Sequence, residues 1–163
     1  MCSGSVFWIE LPLNRPASGA LVSSEFSTDR AAKYSSSKTL LYIEDNLSNL
    51  RLVEQIMRHR PQVKMLAAEQ GQIGLELALE HLPDLILLDL QLPDMLGGEV
   101  LTRLRGDPRT AHIPVIMISA VVMGAELDHL ARLGACAYVT KPFDVRGLLG
   151  VLDDAFLGRC LSN

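Results

Sequence analysis

The sequence predicts an α/β domain, a doubly wound sheet of five parallel strands accompanied by five helices. Three observations carry this reading. Five short apolar runs alternate with five segments whose apolar residues recur at three- and four-residue spacing. The runs are continuously apolar, as in Leu85–Leu88, which marks strands covered on both faces. Proline and glycine punctuate the chain where elements should end.

Taken in order, the first strand is Leu40–Ile43, followed by a helical stripe of Leu47, Leu50, Val53, Ile56 and Met57 that closes before Pro61. The second is Val63–Ala67, with a looser stripe of Ile73, Leu75, Leu77, Ala78 and Leu82 ending at Pro83. After Leu85–Leu88, a helix begins with Val100, Leu101 and Leu104 and stops at Gly106–Asp107–Pro108. Val115–Ile118 precedes a stripe of Leu127, Leu130 and Leu133 that ends at Gly134. Ala137–Val139 is the last strand, and after Pro142 the last helix buries Leu148, Leu149, Leu152 and Phe156. Right-handed crossovers turn this order into a doubly wound sheet. In such sheets ligands gather at the carboxyl ends of the strands, near the switch in strand order.

Composition narrows the function classes. The chain has 163 residues, 48% hydrophobic and 21% charged, enough for one domain and an extension. A net charge of −4 leaves no basic footprint, so no direct nucleic-acid partner is expected. No apolar run approaches the ~18 residues of a membrane helix, and the amino terminus lacks the pattern of a signal peptide. Cys2, Cys136 and Cys160 are odd in number, far apart and without metal spacing, so they are expected to be reduced thiols in a cytoplasmic protein. The expected organisation is a strand-like leader at 1–13, a Ser- and Ala-rich linker at 14–38, the domain at 39–158 and a tail at 159–163.

Polar residues collect at the strand ends. The first strand runs into Glu44 and Asp45, the third into Asp89, the fourth into Ser119, and the fifth into Thr140 and Lys141. Singly, each has an ordinary reading as a helix cap or a solvated side chain, but the fold brings them to one edge. Three clustered carboxylates repel one another, and a hard divalent cation removes the conflict. Oxygen-only ligands suit magnesium. Asp89 can then remain an ionised nucleophile, with Lys141 and Ser119 placed to meet the oxygens of an incoming phosphoryl group. The loop from Gln91 to Gly98 is expected to stay free to shape the metal site. His59, His81, His112 and His129 are scattered and read as surface residues, and no phosphate-binding glycine loop is present.

These residues resemble the receiver domain of two-component response regulators, a flavodoxin-like fold. The matching fragments are the acidic pair in LLYIEDN, the aspartate in LILLDLQLPDMLGGE, the serine in VIMISA and the lysine in GACAYVTKPF. The resemblance implies that Asp89 is the phosphoacceptor and that Asp45 is a direct ligand of Mg2+ (or Mn2+). It places Glu44 beside the metal or one water away, and has Gln91 offering its backbone carbonyl. It implies that Ser119 and Lys141 contact the phosphoryl group, that Ser119 and Tyr138 form the switch pair, and that Lys141–Pro142 is a cis bond. Phosphorylation then shifts the population of the face made by the fourth helix, fifth strand and fifth helix. Many family members have Asp where this chain has Glu44. The partners implied are a histidine kinase or a histidine phosphotransfer protein, with a homodimer left open.

Two other function classes are weighed against this one. A phosphatase with an aspartate nucleophile, of the haloacid dehalogenase type, would carry a second Asp two residues on, where this chain has Gln91. A pseudo-receiver, a binding module that takes no phosphoryl group, would not need the intact acidic set. The leader GSVFWIELPL also resembles the closing strand of histidine-kinase ATP-binding domains, which implies the carboxyl-terminal receiver of a hybrid sensor kinase. By itself the chain is expected to be no kinase. Without an output domain after residue 158, relay or feedback on a kinase is expected over direct transcriptional control.

Overall fold

The computed structural model describes residues 37–120 and 124–160. The leader, and the linker up to residue 36, lie outside the described residues. Strands β1 (Lys38–Ile43), β2 (Val63–Ala68), β3 (Leu85–Asp89), β4 (Val115–Ser119) and β5 (Ala137–Thr140) alternate with helices α1 (Leu47–Met57), α2 (Gly71–His81), α3 (Gly97–Gly106), α4 (Gly124–Arg132) and α5 (Val145–Phe156). All the strand pairings are parallel, in the order β2-β1-β3-β4-β5. The five-strand, five-helix doubly wound architecture is the one the sequence predicts. Strand order reverses between β1 and β3, so their carboxyl ends flank the switch point.

Alternation along the strands sorts the core into two halves. Leu40, Tyr42, Leu85, Leu87, Ile116, Ile118 and Val139 face α1 and α5, packing with Val53, Ile56, Leu148 and Leu152. Leu41, Ile43, Ile86, Leu88, Val115 and Met117 face the other way, toward Leu75 and Ala78 of α2, Val100, Leu101 and Leu104 of α3, and Leu130 of α4. Because both faces are covered, every residue of β3 and β4 is buried. Strand β2 lies at the sheet edge and exposes Lys64 and Ala67.

The strands run further than the apolar runs suggest. Strand β1 begins at Lys38, inside the expected linker, and β3 and β4 each continue one residue into their polar ends. Asp89 pairs with Ile118, and Ser119 pairs with Thr140. A parallel ladder extends as long as its neighbour does, whatever the side chain, so polarity alone does not end a strand. Helix α1 is capped by Asn46, whose side chain accepts from the amides of Ser48 and Asn49, and α5 by Asp144, which accepts from Gly147. The four histidines are exposed, as expected. Among the described residues no helix is long and apolar enough to cross a membrane.

The expectation of reduced cysteines is overturned for two of the three. Cys136 and Cys160 form a disulfide, with Cα atoms 4.7 Å apart; Cys2 lies outside the described residues. Cys136 immediately precedes β5 and Cys160 follows α5. Helix α5 returns antiparallel to β5, so it ends beside the start of that strand. Sequence separation does not report this return.

Candidate functional site

The core rows lead directly into the site. On the α1/α5 face, three strands continue their buried rows by one more step of two residues. Leu40 and Tyr42 lead to Glu44, Leu85 and Leu87 to Asp89, and Ala137 and Val139 to Lys141. The lysine ammonium lies 2.6 Å from Glu44 Oε2 and 2.7 Å from Asp89 Oδ2, bridging the ends of β1 and β3. Glu44 is 1% exposed and Asp89 6%. Exposed Asp45, just beyond β1, completes a cluster in which one carboxylate oxygen from each of Glu44, Asp45 and Asp89 lies within 4.8 Å of the others. The opposite face continues differently. Val115 and Met117 lead to buried Ser119, and half-buried Tyr138 packs against the same half of the core. The Lys141–Pro142 peptide is cis.

Electrostatics separate the two buried carboxylates. Burial raises the pKa of Glu44, but hydrogen bonds from Lys141, Tyr42 and Asn49 outweigh it and leave the group below its ordinary value. At Asp89 burial prevails. Helped by repulsion from Glu44, it holds the carboxyl above its ordinary value, against Lys141 and the Gln91 amide. Lys141 is shifted upward, because burial is outweighed by its bonds to Asp89 and Glu44. Of the two, Asp89 is therefore the carboxylate whose charge burial disfavours.

That has a measurable sign. A carboxyl whose folded pKa is raised binds more protons in the native than in the unfolded state between its two pKa values, so it removes stability as pH rises through that window. Asp89→Asn keeps an acceptor for Lys141 and removes the charge. In metal-free buffer at neutral pH it is expected to stabilise the protein, read as a higher melting midpoint than that of the wild type. Below pH 4 the gain should vanish. A midpoint at or below that of the wild type at pH 7 contradicts this sign.

The loop between β3 and α3 is fixed rather than free, which corrects the expectation. Gln91 forms an isolated bridge with Leu96, and the Gly97 amide donates to the Leu90 carbonyl at 2.9 Å. A Cβ on Gly97 would press into the Asp89 carbonyl and lie 2.9 Å from Leu90 Cα, so only glycine fits there. At the loop's tip, Asp94 accepts from the amides of Gly71 and Gln72 at 2.8 and 2.9 Å. Gln70, the residue before α2, makes no side-chain cap bond, so Asp94 caps α2 from another part of the chain. These amide bonds, that of Gln72 foremost, hold the Asp94 carboxyl below its ordinary value. Asp94→Ala frees both the helix end and the loop that carries the Gln91 carbonyl. The expected outcome is faster hydrogen exchange at Gly71, Gln72 and Gln91, with the sheet amides unchanged; equal protection in both proteins would show that the loop is held by its backbone alone.

Of the site residues read from the sequence, the structure brings Glu44, Asp45, Asp89 and Lys141 into one cluster. It sets Ser119 at the adjoining strand end, with the Lys141 amide donating to its carbonyl at 2.8 Å. Gln91 donates its amide to Asp89 Oδ1 at 3.3 Å. Sequence reasoning missed Tyr42, Asn49 and Asp94. The period of two from Glu44 back to Tyr42 was a signal for the first. Nothing local signals the other two.

The response regulator receiver domain model matches residues 40–153. The chain belongs to that family. Polar-differentiation response regulator DivK of Brucella anthropi is 36% identical over 108 residues, an alignment covering 66% of this chain and 87% of that protein. A CheY-like receiver domain protein from Methanospirillum hungatei superimposes with a TM-score of 0.70 at 25% identity, covering 76% of this chain and 97% of that one. The receiver domain of sensor histidine kinase PA1611 from Pseudomonas aeruginosa, determined with magnesium in its active-site cleft, superimposes with a TM-score of 0.66 at 22% identity, covering 76% of this chain and 99% of that one. Residues 40–153 are thus a receiver domain of two-component signalling, and the clustered strand ends occupy the switch point of its sheet.

Proposed function

We propose that this receiver takes a phosphoryl group from a phosphohistidine onto Asp89, with Mg2+ (or Mn2+) bound, and passes or reports it in a phosphorelay. The donor is a histidine kinase or a histidine phosphotransfer protein. The observation that carries the reading is the bridge of Lys141 between Glu44 and Asp89, beside the oxygen-only cluster with Asp45. That donor set fits a hard divalent cation. Asp45, Asp89 and the Gln91 carbonyl would hold the ion directly, with the charge of Glu44 beside it. When bound, it neutralises the excess carboxylate charge and draws a phosphoryl oxygen toward the cluster.

The residues of this chain then divide the work. An Asp89 oxygen attacks phosphorus, a P–O bond forms as the P–N bond of the donor breaks, and the leaving imidazole keeps the electron pair and takes a proton. Lys141 follows the negative charge from the carboxylate to the new phosphoryl group. Ser119 donates to another phosphoryl oxygen. Tyr138, on the same sheet face, turns toward the space Ser119 leaves, and the surface of α4, β5 and α5 changes population. Residues 4–13 support placing this receiver after a kinase ATP-binding domain in a hybrid sensor kinase.

The test is incubation with Mg2+ and acetyl phosphate, read by intact mass, alongside beryllofluoride binding. The wild-type protein should gain one phosphoryl group and Asp89→Asn none. Magnesium binding with no uptake of phosphoryl or its mimic would overturn the proposal.

A further inference from the structure

Glu44 is used to capacity. Its Oε2 accepts from Tyr42 Oη at 2.7 Å and from Lys141 Nζ at 2.6 Å. Its Oε1 accepts from Asn49 Nδ2 at 2.9 Å and from the Asn46 amide at 3.3 Å. A carboxylate has about four lone-pair positions, and donors from this chain fill them all. Two of those donors converge on one oxygen, the same oxygen that seats the ammonium facing Asp89.

Tyr42 is an unusual donor. Its side chain is completely buried, on the strand between β2 and β3, and its ring belongs to the α1/α5 half of the core. A phenol there cannot swing, so its hydroxyl is a fixed post. Tyr42 and Glu44 are two residues apart and share a strand face, which lets the glutamate fold back over the ring. An aspartate, one methylene shorter, would not span that distance. The continuous line is Tyr42 Oη, Glu44 Oε2, Lys141 Nζ, Asp89 Oδ2, the last contact being 2.7 Å.

We infer that Tyr42 is a positioning residue, which through Glu44 holds the Lys141 ammonium at the oxygen of Asp89. The inference rests on Asp89 being the phosphoacceptor. Glu44 is here a fixed seat for the lysine, and the longer acid and the tyrosine form a matched pair. Tyr42 touches neither the reacting carboxylate nor the incoming group.

The test is Tyr42→Phe, which removes one oxygen and leaves the ring in the core. Loss of a hydrogen bond to a charged group corresponds to between about tenfold and a hundredfold, so acetyl-phosphate labelling at saturating Mg2+ should slow by that factor. In the metal-free protein the side-chain amide resonances of Asn49, bound to the other oxygen of Glu44, should shift. Combined with Glu44→Asp, whose arm falls short of the phenol, Tyr42→Phe should slow labelling no further. A merely structural role would slow both backgrounds by the same factor, and that result, or wild-type rates in Tyr42→Phe, overturns the inference. Asn49→Ala, which loosens Glu44 from the half-buried side, gives a second reading: slower labelling supports the inference and an unchanged rate overturns it. Wild-type protein that takes no phosphoryl group removes the underlying function instead, so the two failures are distinct.

Discussion

Lys141→Ala is expected to lose most of the phosphoryl response and, in the absence of divalent metal, about 2–3 kcal/mol of stability. Removing one partner of a buried charge cluster leaves the others uncompensated. Here both Glu44 Oε2 and Asp89 Oδ2 lose a donor, while the side chain's exposure of about one-fifth tempers the full penalty. The shift should be roughly 10 °C in melting midpoint. Its pH dependence follows from the sign of the shifts. Lys141, with a raised pKa, contributes stability fully present below its unfolded pKa, near 10.4, and lost only as pH climbs through the folded value. Across pH 4 to 8 the wild-type protein therefore keeps this contribution. In Lys141→Ala the pKa of Glu44 rises with the loss of its strongest opposing partner, so the variant should lose stability as the carboxylates ionise above pH 4. Magnesium supplies the missing positive charge and should restore much of the midpoint while leaving labelling slow. Calorimetric melts with and without Mg2+, paired with acetyl-phosphate labelling, check both halves. A variant that labels like the wild type would show that Lys141 serves the fold alone.

How far such a site can be read from sequence depends on whether its signals are periodic. Glu44, Asp89 and Lys141 sit two residues past buried positions on their strands, so the pattern that announces the core also points the charged groups toward one face. The five strands and the breakers between them were legible for the same reason. What sequence could not show are contacts made by closure of the fold. Asp94 caps a helix 22 residues before it, Asn49 reaches back from α1 to Glu44, and Cys136 meets Cys160 only because α5 returns beside β5. The freedom attributed to the loop after Asp89 failed on this point, because Gly97 serves close packing against the Asp89 carbonyl. Tyr42 lies between these cases. Its parity with Glu44 was visible, but an aromatic in a strand is far more often core than a donor to the site, and only the burial and distance distinguish the two.

The largest loss of stability is expected far from the site, at Arg60→Ala. Arg60, between α1 and β2, forms a two-pronged pair with Asp153 of α5, Nε to Oδ1 at 3.2 Å and Nη2 to Oδ2 at 2.8 Å, with side-chain exposures of 11% and 7%. Truncating the arginine takes both of these bonds from a carboxylate buried against the α1/α5 half of the core, a loss of about 3–5 kcal/mol. The pair does not thereby contribute that much. Replacing both partners together, Arg60→Met with Asp153→Leu, removes the buried charges and should recover most of the loss, because the desolvation cost of the ion pair disappears with it. The disulfide adds a second hold on the same helix end. Closing a loop between Cys136 and Cys160 restricts the unfolded chain by about 3 kcal/mol in the loop-entropy model, so Arg60→Ala should be less stable reduced than oxidised by about that amount. Chemical denaturation of the wild type, Arg60→Met, Asp153→Leu and the double variant, each with and without reductant, gives the coupling energy directly. Additive single losses in the double variant would mean that Arg60 and Asp153 act separately. A recovered double variant would show that this charge pair specifies how α5 docks more than it stabilises the docked state.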